Sequence, residues 1–147
     1  MKLGDFGLSK TKRKFHGRKN FKRVGTPHWM APEIMREEEY DELSDVYSYG
    51  MILWELMVRK VPYYGLKINQ IVGSVGYGDK QVPIPETGNE IMIILMKKCL
   101  HKDRKQRPNF KQIAEFLKES DKHRKSKIMI IEISLIIFNS DSNERIG

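Results

Sequence analysis

The chain has 147 residues, 39% of them apolar and 31% charged, a balance that fits one ordinary globular domain and argues against wholesale disorder. A lone cysteine, Cys99, excludes an intramolecular disulfide, and no N-terminal apolar stretch resembles a signal peptide, so the expected setting is the reducing cytoplasm. The formal net charge of +8 is local: Lys10, Lys12, Arg13, Lys14, Arg18, Lys19, Lys22 and Arg23 place eight cations between Ser9 and Val24, and an acidic stretch from Glu33 to Asp45, relieved only by Arg36, follows.

Up to Val24 there is no sustained hydrophobic period, so this segment reads as a long loop, and loops of this length tend to be functional or disordered. Its cations, interleaved with Phe15 and Phe21, are residue types that neutralise phosphates and stack on bases, which makes RNA binding through residues 9–24 one reading. No zinc knuckle or other nucleic-acid motif accompanies them, and a solvated loop is the preferred reading. A helix is expected from Ser44 as N-cap, with Asp45 facing the positive end of the dipole. Val46, Tyr49, Leu53, Trp54 and Met57 share one stripe, while Tyr47, Met51, Ile52 and Leu56 make the other faces apolar, so this helix wants burial all round. It should end near Arg59, because Pro62 cannot continue it.

A weaker helix spans Lys67 to Val75, stopped by Gly76 and Gly78, and an extended connection through Pro83 and Pro85 follows. A third helix starts after Asn89, with Ile91, Ile94, Leu95, Lys98 and Cys99 on its stripe, and the basic turn His101 to Arg107 closes it before Pro108. The last uses Asn109 as cap with Gln112 three residues on, and is expected to bury Phe110, Ile113, Phe116 and Leu117 before structure ends near Ser120. Beyond a basic linker, Ile128 to Phe138 is an apolar run of eleven residues that contains Glu132 and Ser134. A bilayer span needs about 20, so no transmembrane segment is expected. Isoleucine favours a strand there, yet a lone strand without partners is not a stable element.

Chemistry enters with four strings in order: Asp5-Phe6-Gly7; Gly25-Thr26-Pro27-His28-Trp29-Met30-Ala31-Pro32-Glu33; Asp45-Val46-Tyr47-Ser48-Tyr49-Gly50; and Arg107-Pro108. Together they resemble the C-terminal lobe of a protein kinase, whose signatures include D-F-G and A-P-E. The resemblance covers Lys2 to about Ser120. Trp29-Met30 is similar to tyrosine kinases and Gly25-Thr26-Pro27 to serine/threonine kinases, a combination that resembles the tyrosine-kinase-like group. The implied fold class is mainly α, the helical lobe of the protein-kinase-like fold truncated at the D-F-G segment. Residues 1–120 would be a partial kinase domain, with an activation segment at 5–33, a helical lobe at 34–120 and a tail at 121–147.

The resemblance also implies roles. Asp5 would hold Mg²⁺ bridging the ATP phosphates, Phe6 would pack between lobes, and Gly7 would let the loop swing; a turn aspartate before glycine is the plainer alternative for Asp5. Thr26 would sit beside the phosphoacceptor hydroxyl, making the substrate a protein serine or threonine. Glu33 and Arg107 would form a buried ion pair of structural value. Asp45 would accept bonds from the catalytic-loop backbone, although a dipole-favouring helix-start residue explains it nearly as well. Ser9 and Thr11 are candidate phosphosites within a basic surround, with ordinary loop hydroxyls the alternative. No Gly-rich loop, strand lysine or His-Arg-Asp loop occurs in the sequence, so the chain alone is expected not to be catalytically competent. The partners implied are a protein substrate or a kinase partner, together with an N-terminal half carrying the missing parts. The bland alternative is a non-catalytic protein-interaction module.

Overall fold

A computed structural model of the chain describes residues 25–123. Asp5, Phe6, Gly7, Ser9, Thr11, the basic run and the isoleucine-rich tail lie outside them. The described residues fall in two compact units, one up to Asn109 and one from Phe110 onward. Among them every regular element is helical, and none is long and apolar enough to cross a membrane.

The first unit opens with a 3-10 turn, Pro27–Trp29, and a short helix α1, Pro32–Met35, each started by a proline whose fixed φ suits a first helical turn. The main helix, α2, runs Glu42–Val58 and is capped by Asp41, whose side chain accepts from the Leu43 N–H at 2.9 Å. The start is therefore earlier than the sequence suggests, and Ser44 is not the cap. Its hydroxyl is buried and committed to Glu33, 2.6 Å away, which leaves capping to the aspartate three residues earlier. The C-terminal end falls where expected. Arg59 adopts a left-handed φ of 56° and donates its N–H to the Glu55 carbonyl, a terminal geometry that Pro62 then keeps from continuing.

Burial on α2 is one-sided. Val46, Tyr47, Gly50, Met51, Leu53 and Trp54 are buried, whereas Ile52 and Leu56 are 47% and 65% exposed. At 100° per residue, exposed Asp45, half-buried Tyr49, Ile52 and Leu56 share one narrow stripe. Burial all round is thus not what the described residues show, because none of their elements covers that face.

The weaker helix is a short α3, Ile68–Ile71, running directly into a π-helical stretch, Val72–Tyr77. Gly76 does not stop it. A Cβ there would lie 3.0 Å from the Met35 Cβ, so the glycine admits α1 against the wide turn, and Arg36 donates to the Gly76 carbonyl at 2.8 Å. Helix α4, Glu90–Cys99, follows its expected cap: Asn89 accepts from the Met92 N–H at 3.2 Å. Its buried stripe is Leu95, Met96 and Cys99 rather than one through Lys98, which is exposed because a charged amine stays in water. Helices α2 and α4 meet closely at Gly50, where a Cβ would lie 2.8 Å from the Cys99 Cβ.

In the second unit a helix α5 occupies 110–123, three residues beyond the expected end at Ser120. Ile113 is buried, but Phe110 and Leu117 are 47% and 37% exposed, against the expectation that all four apolar side chains are covered. Phe110 and Leu117 lie together about 60° and 40° to one side of Ile113, and half-buried Phe116 lies about 60° to the other, so the covered stripe runs from Ile113 toward Phe116.

Candidate functional site

The Ala31-Pro32-Glu33 string and the Arg107-Pro108 string, 74 residues apart, meet in the interior. Pro32 starts α1 and thereby turns Glu33 inward at its first turn; the 3-10 turn Arg104–Gln106 ends at Arg107 in extended backbone, which directs the guanidinium back toward α1. Arg107 Nη1 donates to Glu33 Oε1 at 2.6 Å and Nη2 to Oε2 at 3.0 Å, a bidentate fork with both residues 4% exposed. Nη1 also donates to the Leu43 carbonyl at 3.1 Å and Nε to the His101 carbonyl at 2.9 Å, so the cation holds the start of α2 and the turn after α4 at once. The guanidinium carbon lies 4.9 Å from the centre of the Tyr47 ring, and the Ser44 hydroxyl donates to Glu33 Oε1. Burial pushes the Glu33 carboxyl up, but hydrogen bonds from Arg107 and Ser44 and the arginine charge outweigh it and hold the group below its ordinary value.

The loop between Gly25 and Met30 is tied to α2 by a bond that the sequence pattern does not reveal: Trp29 Nε1 donates to Glu55 Oε2 at 2.8 Å. Thr26 is exposed, its carbonyl accepts from the Trp29 N–H at 3.4 Å, and its hydroxyl caps no helix end. Trp54 is core, as its apolar stripe suggests, and donates to the Pro83 carbonyl at 2.7 Å. Asp45 sits apart from these groups. It is exposed, accepts no hydrogen bond among the described residues, and is raised from its ordinary pKa by partial desolvation and by Glu42.

The structure thus brings together Glu33, Arg107, Ser44 and Tyr47, leaves Thr26 and Asp45 on the surface, and does not describe Asp5, Phe6, Gly7, Ser9 or Thr11. Sequence reasoning missed Ser44 as an ion-pair partner and Glu55 as an acceptor. The only local signal for Ser44 was a competing cap, Asp41, three positions earlier. For Glu55, an acid amid the apolar residues of α2 was the available cue. Among the described residues there is no group of three or more His, Cys, Asp or Glu side chains that could hold a metal ion.

Residues 1–117 match the sequence profile of the family described as protein tyrosine and serine/threonine kinase. The chain is 40% identical over 122 residues to the probable serine/threonine-protein kinase SIS8 of Arabidopsis thaliana, covering 83% of this chain and 12% of that protein. It is 38% identical over 117 residues to the probable serine/threonine-protein kinase drkB of Dictyostelium discoideum, covering 80% of this chain and 16% of that protein. To the mitogen-activated protein kinase kinase kinase 13-A of Xenopus laevis it is 37% identical over 113 residues, covering 77% of this chain and 12% of that protein. The chain therefore spans only about an eighth to a sixth of these relatives' lengths.

Proposed function

Because the chain belongs to the protein tyrosine and serine/threonine kinase family, we propose that its 147 residues supply the helical, substrate-side base of a protein serine/threonine kinase of the tyrosine-kinase-like group and do not transfer phosphate by themselves. The donor on this reading is ATP, with Mg²⁺ held in part by Asp5 of the D-F-G segment, and the acceptor is a protein serine or threonine hydroxyl positioned near Thr26. Magnesium would supply neutralisation of the negative charge spread over the transferred phosphoryl. The residues of this chain would do the positioning: the Glu33–Arg107 fork fixes the end of the activation segment to the helical base, and the Trp29–Glu55 bond fixes the loop just before it.

The observation that carries this reading is the open stripe of α2. A helix this apolar is built for an interior, yet Ile52 and Leu56 face outward on the same stripe as Asp45, two to three turns earlier, whose carboxylate has no donor among the described residues. Those are the features of a surface made to receive a further segment, one bearing backbone N–H groups for Asp45 and apolar side chains for the stripe. A segment with the His-Arg-Asp loop and its preceding helix fits that requirement.

A chimera tests the reading. The N-terminal half of a related serine/threonine kinase, ending just before its D-F-G segment, is joined to this chain and assayed with MgATP and peptide substrates. The expected result is transfer to serine or threonine that is lost on Asp5→Ala. Transfer to tyrosine alone, or transfer indifferent to Asp5→Ala, would overturn it.

A further inference from the structure

Within the first unit, between the start of α2 and the end of α4, lies a cavity of about 350 Å³, near the lower end of the size range of small-molecule sites. Buried Tyr47, Val82 and Leu100 line it with apolar surface, and Lys97, His101, Lys102 and the Gln81 amide, which donates to the Leu100 carbonyl at 3.4 Å, contribute its polar groups. No carboxylate belongs to the lining. Neither the phosphotransfer chemistry nor the ion pair uses this space, although the Tyr47 ring that lines it also carries Arg107.

The lysines and the histidine are each available at little cost. Lys97, on the last turn of α4, has no partner among the described residues. Lys102 pairs with Asp79 at 2.7 Å, but both side chains are largely in water, where an ion pair is weak, so an incoming anion can replace the aspartate. His101 engages the Asp103 backbone through Nδ1, at 3.1 Å, which leaves Nε2 as its other hydrogen-bonding atom. Apolar surface rimmed by two lysines, a histidine and a neutral amide, with no acid among them, fits neither a neutral hydrocarbon nor an inorganic anion best. It fits a molecule that is both.

We propose that this cavity binds a small amphiphilic carboxylate, its apolar part against Tyr47, Val82 and Leu100 and its carboxylate between Lys97, His101 and Lys102. The volume admits one short alkyl chain or aromatic ring with its acid group. The inference is independent of the kinase reading and neither requires nor predicts catalysis.

Octanoate is the probe, with acetate and 1-octanol as half-probes, titrated against the full 147-residue chain by calorimetry and by NMR of the Val82 and Leu100 methyls. Octanoate is expected to bind saturably and to shift both sets of methyls, while acetate and 1-octanol each bind at least about tenfold more weakly. The exposed pair Lys97→Glu/Lys102→Glu is expected to weaken octanoate by at least about tenfold and leave 1-octanol unchanged, whereas Lys111→Glu/Lys118→Glu, on α5, changes neither. Circular dichroism checks that both variants stay helical. If the lysines serve only the negative end of α4, octanoate shows no saturable binding, and that result overturns the proposal. Equal weakening by the two lysine pairs, or unmoved Val82 and Leu100 methyls, overturns it as well.

Discussion

At Glu33 three donated hydrogen bonds compete with desolvation, and the hydrogen bonds prevail. The folded carboxyl is therefore held below its unfolded value of 4.5, so its contribution to stability is fully present above that pH and is lost as pH falls through the folded value. Urea midpoints recorded across an acid series are expected to drop below about pH 4.5, and Glu33→Gln is expected to flatten that drop; an identical slope in the variant would contradict the assignment. Removing the partner is harsher. Arg107→Ala leaves a buried carboxylate unpaired and should cost about 3–5 kcal/mol in urea unfolding, a large part of the roughly 5–15 typical of a domain. Arg107→Lys is expected to recover little, because an ammonium cannot reproduce the fork to both oxygens and still reach the Leu43 and His101 carbonyls. A loss under about 1 kcal/mol for Arg107→Ala would mean that the pair is not holding these elements together.

Helix α2 owes its position to one missing side chain. Alanine at Gly50 gains about 1 kcal/mol of helix propensity, yet its Cβ must displace Cys99 and Leu100. Gly50→Ala is therefore expected to destabilise by about 1–3 kcal/mol, read as a lower urea midpoint, and a stabilised variant would contradict the close α2 to α4 packing. On the opposite face Ile52→Gln and Leu56→Gln should each change stability by no more than about 0.5 kcal/mol, since those side chains already meet water. The same helix shows what the sequence could and could not disclose. Its existence, its end at Arg59 and the Asn89 cap of α4 follow from local apolar spacing, a proline and a cap residue, all written within a few positions. Its true start did not, because the choice between Asp41 and Ser44 was decided by Glu33, eleven residues away. The π-helical stretch escaped for a similar reason: Gly76 reads locally as a stop, and only Met35 and Arg36, some 40 residues earlier, make it a contact. The ion pair was legible solely through the resemblance carried by the Ala-Pro-Glu and Arg-Pro strings, and for the Trp29 to Glu55 bond the sequence offered an acid on an apolar helix but no sign of its partner.

For the molecule as a whole, positioning and chemistry separate. The described residues hold a buried ionic clamp, a tethered loop and a helix with an open apolar stripe, and on the proposed function these are the base for phosphoryl transfer rather than its engine. Transfer depends on several groups placed around the nucleotide at the same time, and the proposed function holds that Asp5 by itself does not organise them. The most direct measurement follows label from γ-labelled ATP with Mg²⁺ onto protein hydroxyls, using the purified chain verified by intact mass beside its Asp5→Ala variant. No label above the blank is expected from either protein. Label incorporated by the unaltered chain and abolished by Asp5→Ala would contradict the account.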